Sequence, residues 1–232
     1  MILGEICTRN CPFCAVTKGK PSPLDPEEPK RIAKAVEALR LKHVVITSVN
    51  RDDLEDYGAS HFANTIREIR ARSNASIEVL IPDFQGSTKA IDLMIYARPD
   101  IVNHNIETVP RLHSFIKPKS LYTRSLRILN RISNLTTEIY TKSGLMVGLG
   151  ETKEEVVSVM KDLRAVNCNI LTIGQYLKPP GSRLEVKEYI TPEVFQWYKK
   201  VAKELGFVYV ASAPLVRSSY NATEAGLELL RR

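Results

Sequence analysis

The sequence predicts an α/β fold with parallel strands, on three observations. Short apolar runs rich in valine and isoleucine alternate with amphipathic helical stretches along most of the chain. Six strand-helix pairs follow one another, and parallel neighbours need a crossover that a helix supplies. The strand runs are apolar on both faces rather than alternating with polar residues, as strands covered on both sides are. Six pairs are fewer than the eight of a closed TIM barrel, so the expectation is an open partial barrel or a doubly wound sheet. In both, functional groups gather beyond the carboxyl ends of the strands.

Residues 2–6 read as the first strand, and 27–39 as a helix with Ile32, Ala35, Val36 and Leu39 on one face. The run His43-Val44-Val45-Ile46-Thr47 is the second strand, with a helix over 60–72. Strand 77–81 and a helix over 89–96 form the third pair; strand 101–106 and a helix over 122–132 form the fourth. The fifth strand lies within 139–147, with its helix within 153–166 behind Thr152 as N-cap. Strand 170–176 is the sixth, and its helix over 192–205 begins with Thr191 as cap and Pro192 at the first helical position. Residues 1–206 then make the βα array, and 207–232 a final strand and tail closing over its polar end within the same domain.

The composition fits a globular chain: 232 residues, 44% hydrophobic and 25% charged. No apolar stretch approaches the about 20 residues of a spanning helix, so no membrane partner is expected. The opening Met1-Ile2-Leu3-Gly4-Glu5-Ile6 is too short for a signal peptide and lacks a basic lead-in. The expected location is cytoplasmic, or organellar if a targeting segment precedes Met1. The net charge of +7 is spread along the chain rather than blocked, and nucleic-acid binding is not expected.

Four cysteines are too few for a disulfide scaffold. Cys7, Cys11 and Cys14 share one loop after the first strand, while Cys168 stands alone between a helix and a strand and reads as core. A structural zinc site takes four ligands, whereas three thiolates suit a four-iron, four-sulfur cluster that keeps one iron open. The other strand ends are polar as well: Ser48, Asn50, Asp52 and Asp53, then Asp83, then Asn103, Asn105 and Glu107, then Lys142 and Glu151, then Gln175. His104 alternates to the opposite face from its two asparagine neighbours and reads as structural, and Trp197 as packing.

The spacing C-x3-C-x-aromatic-C, with Phe13 at the aromatic position, resembles the radical S-adenosylmethionine (SAM) superfamily, and Gly144-Leu145-Met146-Val147-Gly148-Leu149-Gly150-Glu151 resembles its G-x-I-x-G-x-x-E stretch. Closer still, Cys7-Thr8-Arg9, Ser48-Val49-Asn50-Arg51-Asp52-Asp53, Asn103-His104-Asn105-Ile106-Glu107-Thr108, Gly174-Gln175-Tyr176-Leu177 and Pro214-Leu215-Val216-Arg217-Ser218-Ser219-Tyr220 resemble the lipoyl synthase family, along essentially the whole chain. That resemblance implies a (βα)6 partial TIM barrel of the radical SAM type. It also implies insertion of two sulfur atoms, at C6 and C8, into an octanoyl chain borne by a lipoyl-carrier domain or protein. In the superfamily the open iron binds SAM, and one electron cleaves the sulfonium to give a 5′-deoxyadenosyl radical.

Carried onto these residues, the resemblance makes Cys7, Cys11 and Cys14 the cluster ligands and sets Phe13 near the adenine. Ser48, Asn50, Asn105, Glu107, Lys142, Gly148 and Gln175 become candidates for holding SAM, with Asn50 standing where the family more often has aspartate. The family's second, sacrificial four-iron cluster takes an unusual serine ligand, here Ser219, and three cysteines spaced C-x4-C-x5-C ahead of the Met-Ile-Leu-Gly stretch. This sequence begins at that stretch, and only Cys168 remains beyond the first cluster. The polypeptide as written is expected to bind one cluster and SAM but not the sulfur donor. An N-terminally incomplete chain, a start codon assigned too far downstream, or a partner supplying the cysteines would each account for this. A reductant such as ferredoxin or flavodoxin, and iron–sulfur assembly proteins, are the further partners implied. Two alternatives remain open: another sulfur-inserting radical SAM reaction such as biotin formation, and a non-catalytic protein with a structural zinc.

Overall fold

The computed structural model describes residues 1–219, which divide into two compact units. The first comprises Met1–Arg9 and Val16–Val102; the second comprises Asn10–Ala15 and the chain from Asn103 onward. Residues 220–232, the end of the tail that the sequence reading closes over the site, lie outside the described residues.

In the first unit β1 (Ile6–Cys7) pairs in parallel with β2 (Thr17–Lys18). Helix α1 (Glu28–Ala38) follows, then β3 (His43–Thr47), α2 (Ala59–Arg72), β4 (Ser76–Leu80) and α3 (Thr88–Ile95). Strands β3 and β4 are parallel, in register from His43 opposite Ser76 to Thr47 opposite Leu80. Helix α1 packs on α2, and α2 on α3. Pro29 opens α1, where its missing N–H leaves nothing unsatisfied, and Ser87 Oγ caps α3 by accepting the Ala90 N–H at 3.2 Å. Phe62, Ile66, Ile69, Ile77, Val79 and Phe84 are fully buried, and each such side chain contributes about 1.5–3 kcal/mol.

The first strand departs from expectation. Ile2 makes only an isolated bridge to Ser48, and ladder pairing begins at Ile6. Between them the backbone turns left-handed at Leu3 (φ +70°) and Gly4 (φ +88°). Partners far along the chain hold this turn: Glu28 Oε2 accepts the Leu3 N–H at 3.0 Å, and Arg51 Nη1 donates to the Leu3 carbonyl at 3.2 Å. The Leu3 side chain fills space that only a glycine leaves, since a Cβ on Gly58 would lie 2.6 Å from Leu3 Cδ1. With its N–H and C=O both satisfied off the ladder, Leu3 has no need of a strand partner.

Strand β5 (Ile101–Asn103) carries the chain from the first unit into the second. There follow α4 (Pro110–Ile116), α5 (Tyr122–Leu135), β6 (Tyr140–Val147), α6 (Lys153–Ala165), β7 (Ile170–Gln175), α7 (Pro192–Glu204) and β8 (Tyr209–Ser212). Strands β6, β7 and β8 are parallel neighbours, with Lys142 opposite Ile170 and Ile170 opposite Tyr209. Their core gathers Leu145, Met160, Leu171, Ile173, Phe195 and Tyr198. Thr152 caps α6 as the sequence predicts, in a full capping box with Glu155. At α7, by contrast, Thr191 occupies the cap position without bonding a backbone N–H. Trp197, though 42% exposed, leans on Tyr198 with Lys153 Nζ 5.9 Å from its ring centre. The short helix α4 is an addition, and β5 ends three residues earlier than predicted.

Candidate functional site

In the first unit, β1 ends at Cys7, whose Sγ accepts the backbone N–H groups of Arg9 and Asn50, each at 3.4 Å. Arg9 is buried and forks onto Asp52 through Nε and Nη2, both at 2.8 Å, while Nη2 also reaches Asp83 at 2.6 Å. Asp52 follows β3 and Asp83 follows β4, so one guanidinium ties the first cysteine loop to the ends of both strands. A buried charge is costly unless its hydrogen bonds are complete. Here Asp52 also accepts from Gln85 at 3.1 Å and from its own-chain neighbour Thr8, whose Oγ1 lies 3.1 Å away. Burial pushes the Asp52 carboxyl up, but the hydrogen bond and charge of Arg9, aided by Gln85 and Thr8, outweigh it and hold the group below its usual range. Ser48 Oγ and Asn50 Oδ1 are buried without a hydrogen-bond partner among the described residues.

In the second unit, Cys11 and Cys14 form a turn closed by the Cys14 N–H on the Cys11 carbonyl at 3.2 Å. Phe13 between them packs on the cluster of Ile116, Leu149, Tyr176 and Leu184. Glu107 has a left-handed backbone (φ +71°), and its N–H and C=O are clamped to Gly144 O (3.0 Å) and Met146 N (2.9 Å). Its carboxyl is pushed up by burial, against the opposing pull of Lys117 and of a hydrogen bond from Asn105. Asn105 Oδ1 is buried and unpaired among the described residues, and a Cβ on Gly144 would sit 2.6 Å from it. Gly144 is therefore glycine because Asn105 occupies the space. Lys142 on β6 is fully buried, and His104 turns the other way to meet Ser125 Oγ at 2.9 Å, as its alternation predicts.

Two of the expected cofactor contacts also carry structural hydrogen bonds. Gly148 (φ +93°) donates its N–H to Glu151 Oε1 at 2.5 Å and accepts from the Lys187 N–H at 2.9 Å. Gln175 donates to the Tyr176 and Glu188 carbonyls, both at 3.0 Å, and accepts from the Ile190 N–H at 2.9 Å. The amide of Gln175 thus anchors the segment 188–190 to the end of β7. Ser219 is exposed at the end of the described chain, while Arg217 Nη1 holds the Val216 carbonyl at 2.7 Å. Sequence reasoning missed Arg9 as an anchor. The available signal was a lone arginine inside the cysteine loop and an aspartate after each of two strands.

Among the described residues no three metal-ligating side chains form a ready group, and none of the four cysteines is in a disulfide. The residues nevertheless fit a cluster and SAM. Backbone N–H groups aimed at Cys7 Sγ are the bonds that tune cluster-bound sulfur, and three thiolates are a soft donor set. In the first unit Ser48 Oγ and Asn50 Oδ1, and in the second Asn105 Oδ1, are each buried and unpaired among the described residues, and each suits an N–H or O–H donor of the kind SAM carries.

The family model of the radical SAM superfamily matches residues 1–163. A lipoyl synthase of Caldanaerobacter subterraneus subsp. tengcongensis is 58% identical over 231 residues, covering 100% of this chain and 81% of that protein. The chain belongs to the lipoyl synthase family of the radical SAM superfamily. Lipoyl synthases of Caldicellulosiruptor saccharolyticus and Alkaliphilus metalliredigens are 57% and 54% identical, each over 97% of this chain and over 79% and 78% of their own lengths. Among solved structures, Streptococcus suis SuiB bound to S-adenosylmethionine matches 94% of this chain and 51% of its own at a TM-score of 0.71 and 10% identity. Methylornithine synthase matches at a TM-score of 0.60 and 12% identity, over 100% of this chain and 80% of its own. At such identities the likeness is one of fold, the partial barrel of radical SAM enzymes. Membership implies iron–sulfur clusters and SAM as the cofactors. No helix among the described residues is long and apolar enough to cross a membrane.

Proposed function

We propose that this lipoyl synthase family member inserts sulfur at C6 and C8 of a protein-bound octanoyl chain, with Cys7, Cys11 and Cys14 ligating the SAM-binding cluster. The reading is carried by the three thiols of one eight-residue loop in a chain 58% identical, along its whole length, to a lipoyl synthase. When bound, the cluster and SAM supply a carbon radical strong enough to take hydrogen from unactivated methylenes, which no side chain can do. The chain's own part is placement. Ser48, Asn50 and Asn105 offer oxygens to the amino and hydroxyl donors of SAM, the Lys142 ammonium suits its carboxylate, and Phe13 gives its adenine an apolar face. Arg9, paired with Asp52 and Asp83, keeps the Cys7 end of the loop in place. Ser219 is proposed as ligand to a second cluster, whose three cysteines are not among the 232 residues. The carrier domain, a small electron-transfer protein and the cluster-assembly proteins are the proposed partners, in a cytoplasmic setting.

Anaerobic reconstitution tests this reading. A brown chain with about four irons that forms 5′-deoxyadenosine under dithionite supports it, and Cys11→Ala should lose both colour and cleavage. A colourless, zinc-loaded protein would overturn it.

A further inference from the structure

Sixteen residues, 176–191, connect β7 to α7, and several of their bonds are long-range. At the far end this strap is tied to Gly148 by the Lys187 N–H at 2.9 Å and to Gln175 through Glu188 and Ile190. At the near end, Ser182 Oγ donates to the Pro12 carbonyl at 2.7 Å, across 170 residues of sequence. Pro12 is the residue between Cys11 and the Phe13-Cys14 pair.

The hydrogens around this hydroxyl can be assigned one by one. Serine has a single O–H, and the Pro12 carbonyl receives it; a lone pair accepts the Leu184 N–H at 3.0 Å. Tyr176 directs its own hydroxyl hydrogen to the Leu184 carbonyl at 3.0 Å. The result is a relay from the end of β7 through Tyr176, Leu184 and Ser182 to the peptide between two cluster cysteines. The Leu184 side chain, buried with Tyr176, Leu149 and Ile116, packs in the group that Phe13 joins, so the turn is held by a hydrogen bond and by apolar contact. Gly181, left-handed at φ +76°, makes the bend that presents Ser182.

We propose that Ser182 is a positioning residue for the cluster: by fixing the Pro12 carbonyl it sets the placement of the Cys11 and Cys14 thiols. It touches neither iron nor SAM and acts through the turn. This rests on the reading that these cysteines bind a cluster.

The test compares the anaerobically reconstituted chain with Ser182→Ala, Ser182→Thr and Tyr176→Phe. Three quantities are followed: the rate of iron release to an added chelator, the electron paramagnetic resonance spectrum of the reduced cluster with and without SAM, and the apo unfolding midpoint. In Ser182→Ala, iron leaves about fivefold faster, the factor equivalent to about 1 kcal/mol for one net hydrogen bond. The SAM-induced change in the spectrum also weakens, and Ser182→Thr restores both. Tyr176→Phe breaks the relay one link earlier and gives a smaller change in the same direction, which keeps the test decisive should the alanine variant not fold. Release rates and spectra equal to the parent's in Ser182→Ala, or a lower apo midpoint with no change in either, overturn the positioning role. A parent chain that takes up no iron overturns the cluster reading and this proposal with it.

Discussion

Cys168 shows how surroundings set the chemistry of a side chain. Cys168 is fully buried just ahead of β7, and burial, only partly offset by hydrogen bonds to Ile170 and Thr141 and by the charge of Arg164, pushes its thiol up to about 12. A thiol so held is unreactive at neutral pH. Thiol labelling of the apo chain at pH 8 should modify three cysteines promptly and the fourth only in denaturant; mass mapping of Cys168 in the fast set would contradict this. Arg9 supports a second expectation. Because Asp52 is held below the usual carboxylate range, the stability it contributes is full above about pH 4 and is lost as pH falls through the lowered value. The unfolding midpoint should therefore drop as pH falls below about 4, and Arg9→Ala should both lower it at neutral pH and flatten that acid dependence. Removing one partner of a buried pair costs about 3–5 kcal/mol, so the neutral-pH loss should be large in a denaturant titration.

Among the elements, α6 was legible in full because its signals are local. Thr152 and Glu155 close a capping box within four residues, and Arg111 together with the Thr152 N–H draws the Glu155 carboxyl down to about 2. Thr152→Ala should cost about 1 kcal/mol, read as a fall of about 2–4 °C in the midpoint. Residues 2–6 were not legible. Their apolar run is strand-like, but the left-handed turn at Leu3 depends on Glu28, Arg51 and Gly58, which lie 25 to 55 positions away. The tail beyond β8 is placed by one glycine: a Cβ on Gly174 would lie 2.1 Å from the Val216 carbonyl. Gly174→Ala should displace residues 214–217 from β7, visible as faster hydrogen exchange at the Gln175 amide, which bonds the Pro214 carbonyl at 3.2 Å. Unchanged exchange there would show that the tail is held elsewhere.

For the whole molecule, the relevant division is between two compact units, with Cys7 assigned to one and Cys11 and Cys14 to the other. The loop that joins these cysteines is also where long-range bonds converge: Arg9 to Asp52 and Asp83 within the first unit, and Ser182 to Pro12 within the second. Both anchors act on the backbone beside the cysteines: Arg9, two residues after Cys7, through its own side chain, and Ser182 through the Pro12 carbonyl. The backbone of the loop is thereby fixed, as the proposed ligand role requires. In a double variant, Arg9→Ala with Ser182→Ala, the two losses should add in the apo midpoint, because the sites share no partner. A strongly non-additive result would mean that the two anchors are coupled.

By itself the sequence determined the order of parallel βα pairs, the three-thiol loop, the polar strand ends and the family, because each is written in spacing, periodicity or residue type over short stretches. Tertiary structure alone decided which polar groups are already committed. Gly148 and Gln175 turned out to brace the strap, Ser48, Asn50 and Asn105 to keep oxygens unpaired among the described residues, and Arg9 and Ser182 to hold the cysteine loop. The physical reason is that a hydrogen bond is a property of two groups in space, and 74 and 170 residues separate the partners of the last two.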